Sequence, residues 1–190
     1  MVYLSFAIAL FSLLLSWMNF RRGKLQMTKP AFVAFCYDAG RDNQPLPKIF
    51  IRALLYSTGR RGHVIENMYI IVRSGERQRT FNVWGHGDER LSRGSGLFVG
   101  ETGIATNHHF NPPSKSDAWD YLPGDYEIQI FATLPGHRLP LRLHTITVAI
   151  EATVELPTHP DAAIWFDWQP DENRYDAHVE TRRMPNSLAG

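Results

Sequence analysis

The chain opens on an unbroken apolar run, with no charged side chain from Val2 to Phe20. A helix of that length, at about 1.5 Å per residue, reaches ~28 Å, close to a bilayer hydrocarbon core of ~30 Å. Phe6, Ile8, Phe11, Leu13, Leu14 and Leu15 fill its middle, and Tyr3 and Trp17 stand towards its ends, where interfacial aromatics belong. Residues 1–21 therefore read as one transmembrane helix and residues 22–30 as a basic juxtamembrane linker. A cleaved signal peptide is the competing reading. It is opposed by the lack of a basic residue before the run and of a small-x-small cleavage site before Arg21.

Beyond residue 30 no stretch keeps a 3.6-residue period for a helical length, and short apolar, β-branched runs recur between turn signals. The predicted strands are Ala31–Tyr37, Lys48–Ser57, Val64–Val72, Arg79–Trp84, Leu97–His108, Asp125–Thr133 and Leu141–Val154. In Asp125–Thr133, Tyr126, Ile128 and Ile130 alternate with Glu127, Gln129 and Phe131, the signature of one buried face. Turn residues separate the runs: Asp42, Asn43 and Pro45, then Gly59 to Gly62, then Ser74-Gly75 and Leu134-Pro135-Gly136. Ile164–Gln169 and Arg174–Thr181 read as a hairpin joined by Pro170 to Asn173. The division is thus a β-sandwich at 31–156, a C-terminal β-hairpin packed on it at 157–183 and a frayed tail at 184–190.

Seven strands at this spacing suggest an all-β, antiparallel, two-sheet sandwich. In Leu122-Pro123-Gly124-Asp125-Tyr126-Glu127-Ile128 a Tyr follows a Pro-Gly turn at the start of a core strand. This resembles the tyrosine corner of immunoglobulin-like domains, which implies an immunoglobulin-like fold over residues 30–155 and a Tyr126 hydroxyl bonded back to nearby backbone. Ile128 stands where those domains carry their second cysteine, and their inter-sheet disulfide and strand-C Trp are missing. A short anchor followed by a compact sandwich is also similar to uncharacterised bacterial membrane-associated proteins, a likeness that brings no activity with it.

Charge refines the placement. Residues 1–93 hold 14 Lys/Arg against 6 Asp/Glu and residues 94–190 hold 6 against 13, so a net charge of +1 conceals halves of +8 and −7. Arg21, Arg22, Lys24 and Lys29 follow the apolar run directly, which by the positive-inside rule puts the N-terminus outside and the domain in the cytoplasm at the inner membrane. The same four side chains are positioned to meet anionic headgroups. Cys36 is the single cysteine, which excludes an intramolecular disulfide and fits a reducing compartment.

Candidate chemistry is sparse. His86, Asp88, His108 and His109 are the residues that would hold a metal, with at most one of the adjacent His108 and His109 able to join His86, because neighbours on a strand face opposite ways. The glycine-rich run Gly94 to Gly103 matches neither the dinucleotide fingerprint nor the P-loop. Ser92, Ser95 and Ser114 sit in no nucleophile elbow. Arg73, Arg77 and Arg79, together with Arg60 and Arg61, offer phosphate contacts of lipid rather than nucleic acid. Trp165 and Trp168, with Phe166, load the terminal hairpin with core or interface aromatics. The sequence points to a non-catalytic interaction module tethered to the membrane through residues 2–20, with an unknown protein partner and no cofactor. A metal-dependent enzyme and a translocated assembly or adhesion-like domain are the alternatives.

Overall fold

The computed structural model describes residues 2–20, 23–39, 45–87, 91–94, 96–113, 119–154 and 162–181, with side chains at 2, 18–20, 39 and 181 outside the description. Arg21, Arg22, Asp88, Ser95, Ser114 and the tail at 184–190 lie outside the described residues. Helix α1 runs Val2–Phe20, and every side chain from Tyr3 to Trp17 is exposed. Among the described residues no helix is long and apolar enough to cross a membrane. The described side chains of α1 cover ~22 Å of the ~30 Å that a span needs. The fold bears out a helix in this segment; the transmembrane span expected for it is not borne out.

Strands β1 (Leu25–Met27) and β2 (Phe32–Ala39) form one interrupted edge along β3 (Pro45–Ser57). Across the interruption, Thr28 and Ala31 each donate a backbone N–H at 2.9 Å, to Leu54 and Arg52 carbonyls. Then come β4 (His63–Ile65), β5 (Asn67–Ser74), β6 (Arg77–His86), β7 (Ser92–Arg93), β8 (Leu97–Val99) and β9 (Ile104–Asn111). β10 (Gly124–Thr133), β11 (Leu141–Ile150), β12 (Ala162–Gln169) and β13 (Arg174–Thr181) complete the chain. All pairings are antiparallel and the main path is β11-β10-β5-β6-β9-β3-β2-β12-β13, with β7 on β6 and β4 paired separately to β8.

That path is unbroken, where the sequence reading expects two separate sheets. The difference lies in β6: its first half pairs with β5, while Asn82 to His86 pair with β9 through a register slip between Val83 and Gly85. Such an irregularity bends and twists a strand, letting one strand belong to both halves of a folded-over sheet. Both halves bury their inner faces in one core, including Phe35, Phe81, Phe110, Tyr126 and Phe166, all at 0% exposure. Burying each such side chain contributes about 1.5–3 kcal/mol. The end strands β11 and β13 approach each other across a groove of about 640 Å³.

In β11 the alternation changes phase. Ile146, Val148 and Ile150 are buried, while Leu141 near the start is 37% exposed. A bulge at Leu143 of β11, which is left unpaired between His144 opposite Ile130 and Arg142 opposite Phe131, reverses which side chains face inward.

The body has two ends. At the linker end, Lys24 donates its backbone N–H to Thr58 Oγ1 at 2.7 Å, Thr58 N–H donates to Lys24 O at 3.0 Å, and Ser57 N–H donates to Gly100 O at 3.2 Å. Glu66 N–H donates to Thr133 O at 2.9 Å in the same layer. Gly23 sits so close to the backbone at Thr58 and Gly59 that any Cβ there would collide with it. The β5–β6 turn at Ser74-Gly75 and the start of β10 form the far end.

Candidate functional site

The strand pairing of β6 with β9 sets His86 directly opposite His108. Their Nδ1 atoms are 2.9 Å apart, with rings edge-on at 84°. One neutral imidazole donates its Nδ1–H and the other accepts, so the pair holds together with a single proton between the two nitrogens. Burial lowers the His86 pKa and favours that neutral form. His109 faces the other side of β9, stacked on Phe50 at 5.5 Å, with its Nε2 3.2 Å from Gly87 O. Of the histidine candidates the structure therefore brings together His86 and His108, and Asp88 lies outside the described residues. No group of three or more His, Cys, Asp or Glu that could hold a metal occurs among the described residues. His86 opens on a groove of about 270 Å³ that also takes in Ser92, Arg93 and the Gly94 backbone.

The Arg73–Arg79 hairpin is engaged within the fold. Arg73 donates to Gln78 Oε1 at 2.8 Å and pairs with Glu127 at 3.3 Å. Arg77 lies 4.4 Å over the Trp119 ring and donates to Asp120 O at 3.1 Å. Arg79 is half-buried. Arg60 and Arg61 are at the opposite end of the body: β5 alone separates Asn67 from Ser74 by ~23 Å at about 3.3 Å per residue.

The terminal hairpin uses its aromatics internally. Trp165 packs edge-on against Phe50 at 5.1 Å and lies 5.0 Å from Phe32. Trp168 packs on Tyr175 at 5.1 Å and carries Lys29 Nζ 3.3 Å over its ring. Lys29 is thereby separated from Lys24 and turned towards the hairpin.

Tyrosines brace the far end. The Tyr126 hydroxyl bonds to both backbone groups of Leu122, and Tyr121 stacks on Phe35 at 4.7 Å and donates to Lys48 O at 2.9 Å. Burial pushes the Tyr121 phenol well up and the Tyr126 phenol up, so both stay protonated donors through the neutral range. Beside them Lys48, almost fully buried, pairs with Asp38 at 2.8 Å.

Sequence reasoning missed the linker end, where two grooves adjoin around His63 and His137. Its side chains come from four separated segments, and each taken alone reads as an ordinary polar turn.

No family model matches the chain, and neither a curated protein nor a solved structure does.

Proposed function

We propose that the chain is a non-catalytic interaction module held at the inner face of the cell membrane by α1, which recruits or stabilises another protein there. The observation that carries this is α1 itself: its apolar side chains are exposed on all sides, among them Tyr3 at 91%, Leu13 at 71% and Trp17 at 57%. A helix that is apolar all round is stable where hydrocarbon or protein covers it. The uncharged run extends from Val2 to Phe20, and the charges that follow it support a cytoplasmic β body. The β body reads as immunoglobulin-like: β2, β3 and β9 form one half, β6, β5, β10 and β11 the other, and Tyr126 makes the tyrosine corner. Reporter fusions beyond Gly190 test the placement, with a signal expected from the cytoplasm-active reporter. Signal from an externally active reporter instead would replace this reading with the translocated envelope domain. Crosslinking in native membranes is expected to recover one recurrent protein partner, and its absence would count against the module.

A metal-holding site is the second reading, favoured by the Nδ1–Nδ1 distance of 2.9 Å between His86 and His108. Two nitrogens bonded at ~2.1 Å to one tetrahedral ion stand ~3.4 Å apart, so a small parting of the two rings would admit the ion. Its test is metal content of the untagged protein, which must be stoichiometric and vanish in His86→Ala.

A further inference from the structure

We infer that the linker end of the β body is a second membrane contact, which lies on an anionic bilayer and receives a lipid headgroup in the cleft around His63. This rests on the reading of α1 as a bilayer helix. Phe20 and Lys24 are four residues apart, and a fully extended chain covers at most ~14 Å in that distance. Lys24 is fixed to the end of β3 by two hydrogen bonds with the adjoining Thr58, one from its N–H to Thr58 Oγ1 and one from Thr58 N–H to its carbonyl. The end of the body that carries Thr58 is therefore the end brought to the surface wherever α1 is inserted.

That end has the chemistry of an anionic interface. Lys24, Arg60, Arg61, Arg138 and Arg142 are exposed on it. The described acids of the same segments are Glu66 and Glu101. Apolar side chains stand among the cations: Phe98 is 61% exposed, Val64 51%, Leu139 80% and Leu141 37%. Cations interleaved with protruding apolar residues are the combination that binds headgroups while inserting into the acyl boundary. Between them run two adjoining grooves of about 490 and 630 Å³, the first lined by Arg61 and the second by Lys24 and Arg142, with His63 and His137 shared. His63 Nε2 is buried there without a hydrogen-bond partner. A headgroup phosphate seated in these grooves places its charge among the surrounding cations.

The test uses the full chain in phosphatidylcholine vesicles with and without phosphatidylglycerol. A fluorophore is attached through Leu139→Cys or, as a far-end control, Glu76→Cys; Cys36 is fully buried and is not labelled. Quenching by headgroup-labelled lipid is expected at position 139 and not at position 76, and only with phosphatidylglycerol present. Arg138→Gln and Arg142→Gln are each expected to lower the docked-to-undocked ratio about fivefold at low salt. A chain that floats with the vesicles yet shows equal quenching at the two positions overturns the inference and leaves the anchor standing. Equal quenching at position 139 with and without phosphatidylglycerol overturns the role of the cations. A chain that does not float with vesicles at all overturns the anchor reading, and this inference with it.

Discussion

The Tyr126 hydroxyl and the backbone of Leu122 close on each other from both sides: Leu122 N–H donates to the Tyr126 oxygen at 2.7 Å, and the Tyr126 O–H donates to Leu122 O at 2.6 Å. One fully buried ring thereby fixes the turn that enters β10. Tyr126→Phe keeps the ring and loses both bonds. Because Leu122 is half exposed and water can reach its backbone, the expected loss is about 1–1.5 kcal/mol. Urea unfolding should show a lower midpoint with an unchanged slope.

Lys48 is buried against Asp38, whose side chain is 32% exposed, and lies 5.1 Å over the Trp84 ring. Removing the acid alone leaves an ammonium desolvated, which is worse than removing the ammonium itself. Asp38→Ala is expected to cost about 2 kcal/mol, below the range for fully buried pairs because Asp38 is partly solvated. Lys48→Met should cost less. The reverse order in chemical denaturation would show that the pair is not what stabilises this corner.

Burial holds the His86 pKa below its ordinary value, and burial followed by the nearby Lys29 charge does the same for His144. Both bind fewer protons folded than unfolded, so their contribution is fully present above about pH 6.5 and is lost as pH falls through their lowered folded values. Stability should therefore decline between pH 7 and pH 5. His86→Asn should flatten the profile in part, and the double change with His144→Asn further. An unaltered slope in the double variant would assign the acid sensitivity to other groups.

Asn173 holds a φ of +52° in the turn between β12 and β13. Asn adopts this left-handed conformation more readily than Ala, so Asn173→Ala should destabilise by about 1 kcal/mol, and Asn173→Gly should leave stability nearly unchanged. Thermal unfolding of the two variants side by side checks the sign.

Local patterns in the sequence carried over where one segment decides the outcome. The alternation of Tyr126, Ile128 and Ile130 was enough to identify the inward face of β10, and Pro-Gly before Tyr126 was enough to expect its hydroxyl bonded back to nearby backbone. The joining of β6 to β9 was not legible, because the slip between Val83 and Gly85 shows only when Asn111 and His109 are seen opposite. The phase change in β11 comes from the extra residue Leu143, which shows only when consecutive Ile130 and Phe131 of β10 are seen opposite His144 and Arg142. Grouping Arg60 and Arg61 with Arg73 to Arg79 followed nearness in sequence, and β5 carries the two sets to opposite ends. The converse holds for Lys24, Arg60 and Arg142, distant in the chain and gathered at one end by the hairpins.

The approach of β11 to β13 has a bearing on crowding. At high local concentration an open strand edge invites copy-upon-copy extension. Here the two ends of the long sheet look at each other across a groove of about 640 Å³, so a strand from a neighbouring copy would have to enter that groove to pair with either edge. Each end of the sheet thus restricts access to the other.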